Sequence, residues 1–383
     1  MNAPRVFFAT GEASGDMLAA ALGTALREFV PEVRLCGIGG ERMAAAGFRL
    51  TTRTTGWASL GPLAALRRIP PLLVNLLRHA VWLRAVRHEL VVLVDFGAYN
   101  LRLAKTLRAF GYRRPVLYFF PPGAWLDRAS QAAAVARTAV PLVPFAHQRD
   151  FYRSLGLGVA YFGHPLATLV QPRSRRAAAP RDGGTIALLP GSRRGEIEQH
   201  LPLLLAAATL LLQHRPQARF IVSVANDEAA GYVAAILRAR GVTAALLQTV
   251  RGSGAAFERA DAAWIASGTA VLEAALREVP AVALYVVAPA QAAYGRRIWL
   301  RDHPYITLPN ILLDREIVPE CLQDDATPER LCAAIEPLLV DPATQLRELR
   351  AVRAALGPPG ALRRSAAFAA ALMSRSRNGA TSK

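Results

Sequence analysis

Two short stretches in the second half of the chain carry residues that could bind a phosphate. Thr185–Glu196, TIALLPGSRRGE, runs from an apolar stretch, Ile186–Leu189, through Pro190 and Gly191 into Ser192, Arg193 and Arg194, and then into the apolar-rich segment Ile197–Leu212. That order reads as strand, tight turn and helix. Such a turn aims backbone N–H groups and the positive end of a helix dipole at one point, and Arg193 adds a charge that grips two oxygens at once. An ordinary strand-to-helix turn with a solvated arginine pair is the alternative, and this stretch alone does not separate the two. The second stretch is the short strand Ala262–Ala266, followed by Ser267, Gly268 and Thr269 and a helix over Ala270–Glu278. Its hydroxyls and amides suit phosphate, and Glu273, one turn into the helix, suits a sugar diol. The competing reading is a helix capped by Ser and Thr with a solvated glutamate.

The first half offers a carboxylate. Asp95 follows the fully apolar strand Val91–Val94, with Asn100 close behind. In open α/β sheets ligands collect beyond the carboxyl ends of the strands, so Asp95 stands where a catalytic carboxylate is expected. Capping of the next helix is the other role open to it. The seven histidines and three cysteines, Cys36, Cys321 and Cys332, show neither metal-like nor paired spacing, which points to a reducing compartment and to no metal site.

The elements that must position these groups alternate along the whole chain, as in parallel sheets covered by helices. In the first half, strands are expected at Val6–Ala9, Val33–Cys36, Val91–Val94 and Pro115–Phe120, with a helix from about Met17 to Glu28. Gly37-Ile38-Gly39-Gly40 reads as a tight turn, because a dinucleotide fingerprint needs a third glycine and a later acidic residue that are missing here. Leu66–Leu90, with five arginines and Trp82, reads as a helix covering the sheet; a basic helix lying on an anionic membrane through Leu76, Leu77 and Trp82 is the alternative. Gly163-His164-Pro165 closes this half, the histidine being read as structural. In the second half, strands are expected at 185–189, Phe220–Val224, Ala262–Ala266 and Val282–Val287, a loop begins at Leu308-Pro309-Asn310, and the chain is helical from Thr327 onward.

The expected organisation is an α/β chain of two doubly wound, Rossmann-like domains facing a cleft. Residues 1–170 form the first domain, 171–184 a polar and basic linker, 185–345 the second domain, and 346–383 a helical tail packing back on the first. A hydrophobic content of 52% against 19% charged residues allows large cores and excludes wholesale disorder. The balance of 46 Lys+Arg against 28 Asp+Glu, a net +18, favours anionic partners. Nucleic acid is the weakest of these, since basic and aromatic residues do not interleave as in known modules. No signal peptide and no apolar run of about 20 residues is seen, so a cytosolic protein with at most surface association is expected.

Paired phosphate-type turns in one half and a strand-end carboxylate in the other suggest the GT-B layout of a glycosyltransferase. GEASGD at Gly11–Asp16, GHPL at Gly163–Leu166, LPGSR at Leu189–Arg193, SGTAVLE at Ser267–Glu273 and LPNILLDREIVPE at Leu308–Glu320, in this order and spacing, resemble the lipid-A-disaccharide synthase family. The resemblance implies an inverting transfer of 2,3-diacylglucosamine from its UDP donor to 2,3-diacylglucosamine 1-phosphate, with release of UDP. It also implies a cytoplasmic enzyme, peripheral on the inner face of the inner membrane, that needs no dissociable cofactor. Oligomeric state is not implied either way.

By the same resemblance Asp95 is the base, Arg193 with the amides around Gly191, Ser192, Ser267, Gly268 and Thr269 holds the diphosphate, Glu273 takes the ribose hydroxyls, and Asn310 lines the donor side. Glu12, Ser14, Asp16 and Asn100 belong to the acceptor side. The departures lie in the first half. The family's DAPDFN stands here as Asp95-Phe96-Gly97-Ala98-Tyr99-Asn100, so its second carboxylate is replaced at Ala98. An SPSVWAW-like segment stands as Phe120-Pro121-Pro122-Gly123-Ala124-Trp125, and Leu60-Gly61 replaces Met-Gly. Rival readings are a glycosyltransferase with another acceptor, a UDP-sugar epimerase, and a non-catalytic basic protein that binds membrane surfaces.

Overall fold

An apolar run such as LVVLV, without alternation, can be a strand only if both faces of its sheet are covered. All five of its residues are buried. A computed structural model describes residues 3–54, 62–123, 128–174, 183–242, 246–288, 292 and 304–378. The chain divides into two compact units, one of Met1–Thr168 with Leu356–Lys383 and one of Leu169–Ala355.

The first unit holds β1 (Arg5–Ala9), β2 (Arg34–Gly39), β3 (Arg49–Arg53), β4 (Leu90–Val94), β5 (Val116–Phe119), β6 (Val140–Val143) and β7 (Ala160–Tyr161). They form one sheet in the order β3-β2-β1-β4-β5-β6-β7, with every neighbouring pair parallel. Its helices are α1 (Ala13–Arg27), α2 (Glu41–Ala45), α3 (Pro62–Ala85), α4 (Gly97–Ala109), α5 (Ala129–Thr138), α6 (Ala146–Ser154) and the single turn α7 (Leu166–Leu169), which runs one residue into the second unit.

The second unit holds β8 (Thr185–Leu189), β9 (Arg219–Val224), β10 (Leu247–Arg251), β11 (Ala262–Ala266), β12 (Ala281–Tyr285) and β13 (Glu320–Leu322), in the order β10-β9-β8-β11-β12-β13, again parallel throughout. Its helices are α8 (Arg194–His214), α9 (Asp227–Ala239), α10 (Ser253–Phe257), α11 (Thr269–Leu276), α12 (Leu308–Leu313), α13 (Pro328–Val340) and α14 (Ala343–Ala355). The last helix, α15 (Ala361–Asn378), belongs to the first unit.

Alternation of side chains along a strand sends successive residues to opposite faces. In β1, Val6 and Phe8 pack with Leu18 and Leu22 of α1 and Ala369 and Met373 of α15. Phe7 and Ala9 pack on the other face with Leu76, Ala80 and Leu83 of α3 and Leu103 and Leu107 of α4. The first sheet is thus covered on both sides. In the second unit Ile186, Leu188, Val222 and Trp264 pack against Leu201 and Leu204 of α8 and Leu331 and Ile335 of α13.

Three expectations need correction or bounds. Leu308-Pro309-Asn310 opens a helix rather than a loop, because proline is tolerated in the first turn, where its missing N–H has no intrahelical partner. On α3, Leu76 is buried and Trp82 is packed against the core, so neither can face a membrane. Among the described side chains of α3 the exposed large apolar residues are Leu73, Val74, Leu77 and Val81, with Val74 and Val81 more than half exposed at 65% and 57%. Of the expected linker, residues 175–182 lie outside the described residues, whereas Arg173 is buried and donates to the carbonyl of Ala260. Leu60, Gly61, Ala124, Trp125 and the end of the tail, 379–383, also lie outside them. Among the described residues no helix is long and apolar enough to cross a membrane.

Candidate active site

Each sheet has one place where strand order reverses, and a crevice opens there at the carboxyl ends of the two strands. In the second unit that place lies between β8 and β11, the two strands that end in LPGSR and SGT. The sheet therefore brings together the two phosphate-type turns, some 75 residues apart in sequence, beyond adjacent strand ends.

At the β8 end, Gly191 has φ +112°, and a Cβ there would fall 2.5 Å from Oε2 of Glu196. Arg193 is the N-cap of α8, the residue before its first turn. Glu196 reaches back over the turn: its Oε2 accepts from the backbone N–H of Ser192 at 3.0 Å and of Arg193 at 3.2 Å, and its Oε1 lies 3.3 Å from the Arg193 guanidinium. A carboxylate thus sits where the helix N-terminus favours negative charge. Its side chain is 21% exposed and that of Arg193 is 40% exposed, so the pair is within reach of solvent. At the β11 end, Ser267 and Gly268 lead into α11, which Thr269 begins. Glu273, one turn on, is engaged on both oxygens, by the Ser253 hydroxyl at the start of α10 and by Nε of Arg277 at 3.0 Å. Arg277 also reaches Glu258 at 3.2 Å.

In the first unit the reversal lies between β1 and β4. Asp95 and Phe96, directly after β4, both have left-handed backbones, φ +48° and +49°. Two consecutive non-glycine residues in that region cost about 1–2 kcal/mol each and persist only where surrounding contacts hold them. The contacts are present. Asn100 Nδ2 donates to the carbonyls of Asp95 at 2.8 Å, Val94 at 3.1 Å and Ala9 at 3.1 Å, and Tyr118 Oη donates to Asp95 O at 3.2 Å. Burial first, then the charge of Asp95, pushes the Tyr118 phenol well above its ordinary range, which keeps that donor proton in place. Opposite, at the β1 end, Gly11 lies against the ring of Phe96: a Cβ there would sit 2.4 Å from it. Glu12 is the N-cap of α1, and Glu12 and Ser14 are both half-buried beside this crevice.

Compared with known proteins, residues 6–358 match the family model for lipid-A-disaccharide synthetase. The chain belongs to the lipid-A-disaccharide synthase family. A lipid-A-disaccharide synthase of Myxococcus xanthus is 35% identical over 95% of this chain and 96% of its own length, and one of Pseudomonas aeruginosa is 35% identical over 92% and 94%. The family makes the chain a glycosyltransferase of lipid A biosynthesis. In fold it is similar to a putative UDP-N-acetylglucosamine 2-epimerase from Listeria monocytogenes, with a TM-score of 0.62 at 12% identity over 91% of each chain. It is likewise similar to the spinosyn rhamnosyltransferase SpnG, with a TM-score of 0.54 at 12% identity over 92% of this chain and 96% of that one. Two parallel-sheet Rossmann-like units of GT-B type are the architecture these share.

Several residues of the family motifs serve the scaffold and not an open crevice. Asp16 is buried, and its carboxylate accepts from the backbone N–H groups of Gly40 at 2.6 Å, Arg42 at 2.9 Å and Met43 at 3.3 Å, closing the N-terminus of α2. Its carboxylate, expected on the acceptor side, is instead committed to the turn after β2. Asn100 is fully buried and acts only through the carbonyls it holds. Asn310, expected on the donor side, is fully buried, accepting from Ile317 N and Val318 N at 2.9 Å each and donating to Val318 O and Glu320 Oε1 at 2.8 Å each. Glu320 in turn accepts from Thr307 Oγ1 at 2.7 Å, so side chains of LPNILLDREIVPE staple α12 to the start of β13. Position 98, where the family's second carboxylate is missing, falls in the first turn of α4.

His164 is buried between the rings of Phe120 and Phe145, and its Nδ1 accepts from Leu166 N at 3.1 Å. Burial drives its pKa down to about 3, so it is neutral and structural. Sequence reasoning missed Ser253, Tyr118 and His200. Only His200 carried a signal, a polar residue on the face of α8 that also presents Ile197, Leu201 and Leu204.

Proposed function

We propose that the chain joins UDP-2,3-diacylglucosamine to 2,3-diacylglucosamine 1-phosphate with inversion, forming the β(1→6) disaccharide 1-phosphate and UDP. The observation that carries the finer reading is the placement of family motif residues on both sides of the strand reversal in each sheet. In the second unit Arg193, the amides from Gly191 to Arg193 and the Ser267–Thr269 turn take the diphosphate, displacing Glu196 from the turn. Glu273 takes the ribose hydroxyls in exchange for Ser253. In the first unit Asp95 accepts the proton of the acceptor 6-hydroxyl, so that the oxygen attacks the anomeric carbon while the bond to the diphosphate breaks. Positive charge and helix N-terminal amides at the diphosphate stabilise the charge that develops on the leaving group.

The acylated substrates and the net charge of +18 support action at an anionic membrane surface on its cytoplasmic side. The outward stripe Leu73, Val74, Leu77 and Val81, bordered by Arg78 and Arg84, is the part of α3 that suits such a surface.

The test is a radiolabelled assay of the purified protein with donor and acceptor, together and singly. Disaccharide only with both supports the reading. Turnover of donor alone would instead indicate hydrolysis or epimerisation.

A further inference from the structure

His200 takes part in none of the roles above. It lies in the second turn of α8, fully buried. Its Nδ1 is 3.0 Å from the carbonyl oxygen of Pro190, and its Nε2 is 3.1 Å from the backbone nitrogen of Val286 and 3.2 Å from that residue's oxygen. One tautomer satisfies both ends, with Nδ1–H donating to Pro190 O and Nε2 accepting from Val286 N–H. The other would set a lone pair against the Pro190 oxygen. Burial holds the imidazole below its ordinary pKa, so the ring stays neutral and keeps its acceptor.

The carbonyl of Pro190 and the N–H of Gly191 belong to one planar trans peptide, so they point in opposite directions. Gly191, at φ +112°, has no Cβ to restrict how that peptide turns. We infer that His200 is a positioning residue for diphosphate binding: by taking the Pro190 carbonyl it fixes the 190–191 peptide with the Gly191 N–H directed away from the buried imidazole. Through Val286, the residue after β12, the same ring registers this turn against the end of β12, the strand beyond β11 in the sheet. The inference rests on the reading of the β8 turn as the UDP clamp.

Calorimetry with UDP and with UMP on the full chain tests it. An asparagine amide reaches the place of Nδ1 and a glutamine amide that of Nε2, so His200→Asn keeps the donor to Pro190 and His200→Gln does not. Loss of one oriented donor predicts that His200→Leu weakens UDP about five- to tenfold, with UMP, which lacks the β-phosphate, changing less than about twofold. His200→Asn recovers most of the UDP affinity and His200→Gln does not. Unchanged UDP affinity, equal losses for UDP and UMP, or an asparagine variant no better than the glutamine one overturns the inference. If the leucine variant does not melt cooperatively, the Asn and Gln pair decides by the same comparison. Arg193→Ala is run alongside. Unaltered UDP affinity there removes the clamp reading and this inference with it, whereas weakened affinity there with His200→Leu unaffected removes this inference alone.

Discussion

Tyr118 Oη donates to the main-chain carbonyl of Asp95 at 3.2 Å, so a buried side chain of β5 holds the backbone of the carboxylate residue at the end of β4. Tyr118→Phe keeps the ring and removes only that bond. The expected result is about 0.5–1.5 kcal/mol lower stability by urea unfolding, and a several-fold lower kcat with UDP affinity unchanged. Asp95→Asn should lower kcat by about 100- to 10,000-fold and also leave UDP affinity alone. Normal turnover by the Asn variant would place the base elsewhere.

The Arg193–Glu196 pair makes a two-sided prediction. Loss of a charged phosphate contact worth about 1.5–3 kcal/mol in Arg193→Ala should weaken UDP by about 10- to 150-fold. Glu196→Gln removes the negative charge that UDP must displace and should tighten UDP by a few-fold, at a cost of up to about 1 kcal/mol in helix stability. Weaker UDP binding by the glutamine variant would show that Glu196 supports the bound state.

Acid sensitivity follows from the buried imidazoles. The unfolded His164 titrates near 6.5 and the folded one near 3, so between these values the unfolded chain binds the extra proton. Stability is complete above about pH 6.5 and falls as pH drops toward 3, by up to about 1.4 kcal/mol per pH unit for this residue. His79, His88 and His200 are lowered by burial as well and act in the same direction. Urea midpoints measured between pH 7.5 and 5 should fall, and His164→Asn should flatten the slope; an identical slope would assign the effect to other groups.

For α3, changing Leu73, Val74, Leu77 and Val81 together to serine should reduce flotation with phosphatidylglycerol vesicles at least about tenfold, since each removes apolar area from the contact. Thermal stability should be unchanged, because these side chains point away from the core. Undiminished flotation would move the membrane contact to another face.

Buried central strands were the easiest to read. AAWIA begins and ends where its apolar run does and TIALL adds only Thr185 to its run, whereas β3 (RLTTR) and β10 (LQTVR) are polar edge strands, β6 (VPLV) carries a proline, and β7 and β13 are two and three residues long. Both crevices followed from motifs at strand ends. Asp16 and Asn310 did not, because a carboxylate or amide that caps buried backbone is the same residue type as one that meets a ligand. Only the direction of neighbouring N–H groups tells them apart.

The capping of α2 by Asp16 bears on where a second anion could bind. Both sheets offer a helix after an inner strand, but in the first three amides are held by a carboxylate that is only 5% exposed, and in the second two are held by the more open Glu196. A nucleotide cannot enter the first without expelling a buried charge. On the proposed reading UDP binds in the second unit alone, and calorimetric titration of the chain should give one equivalent.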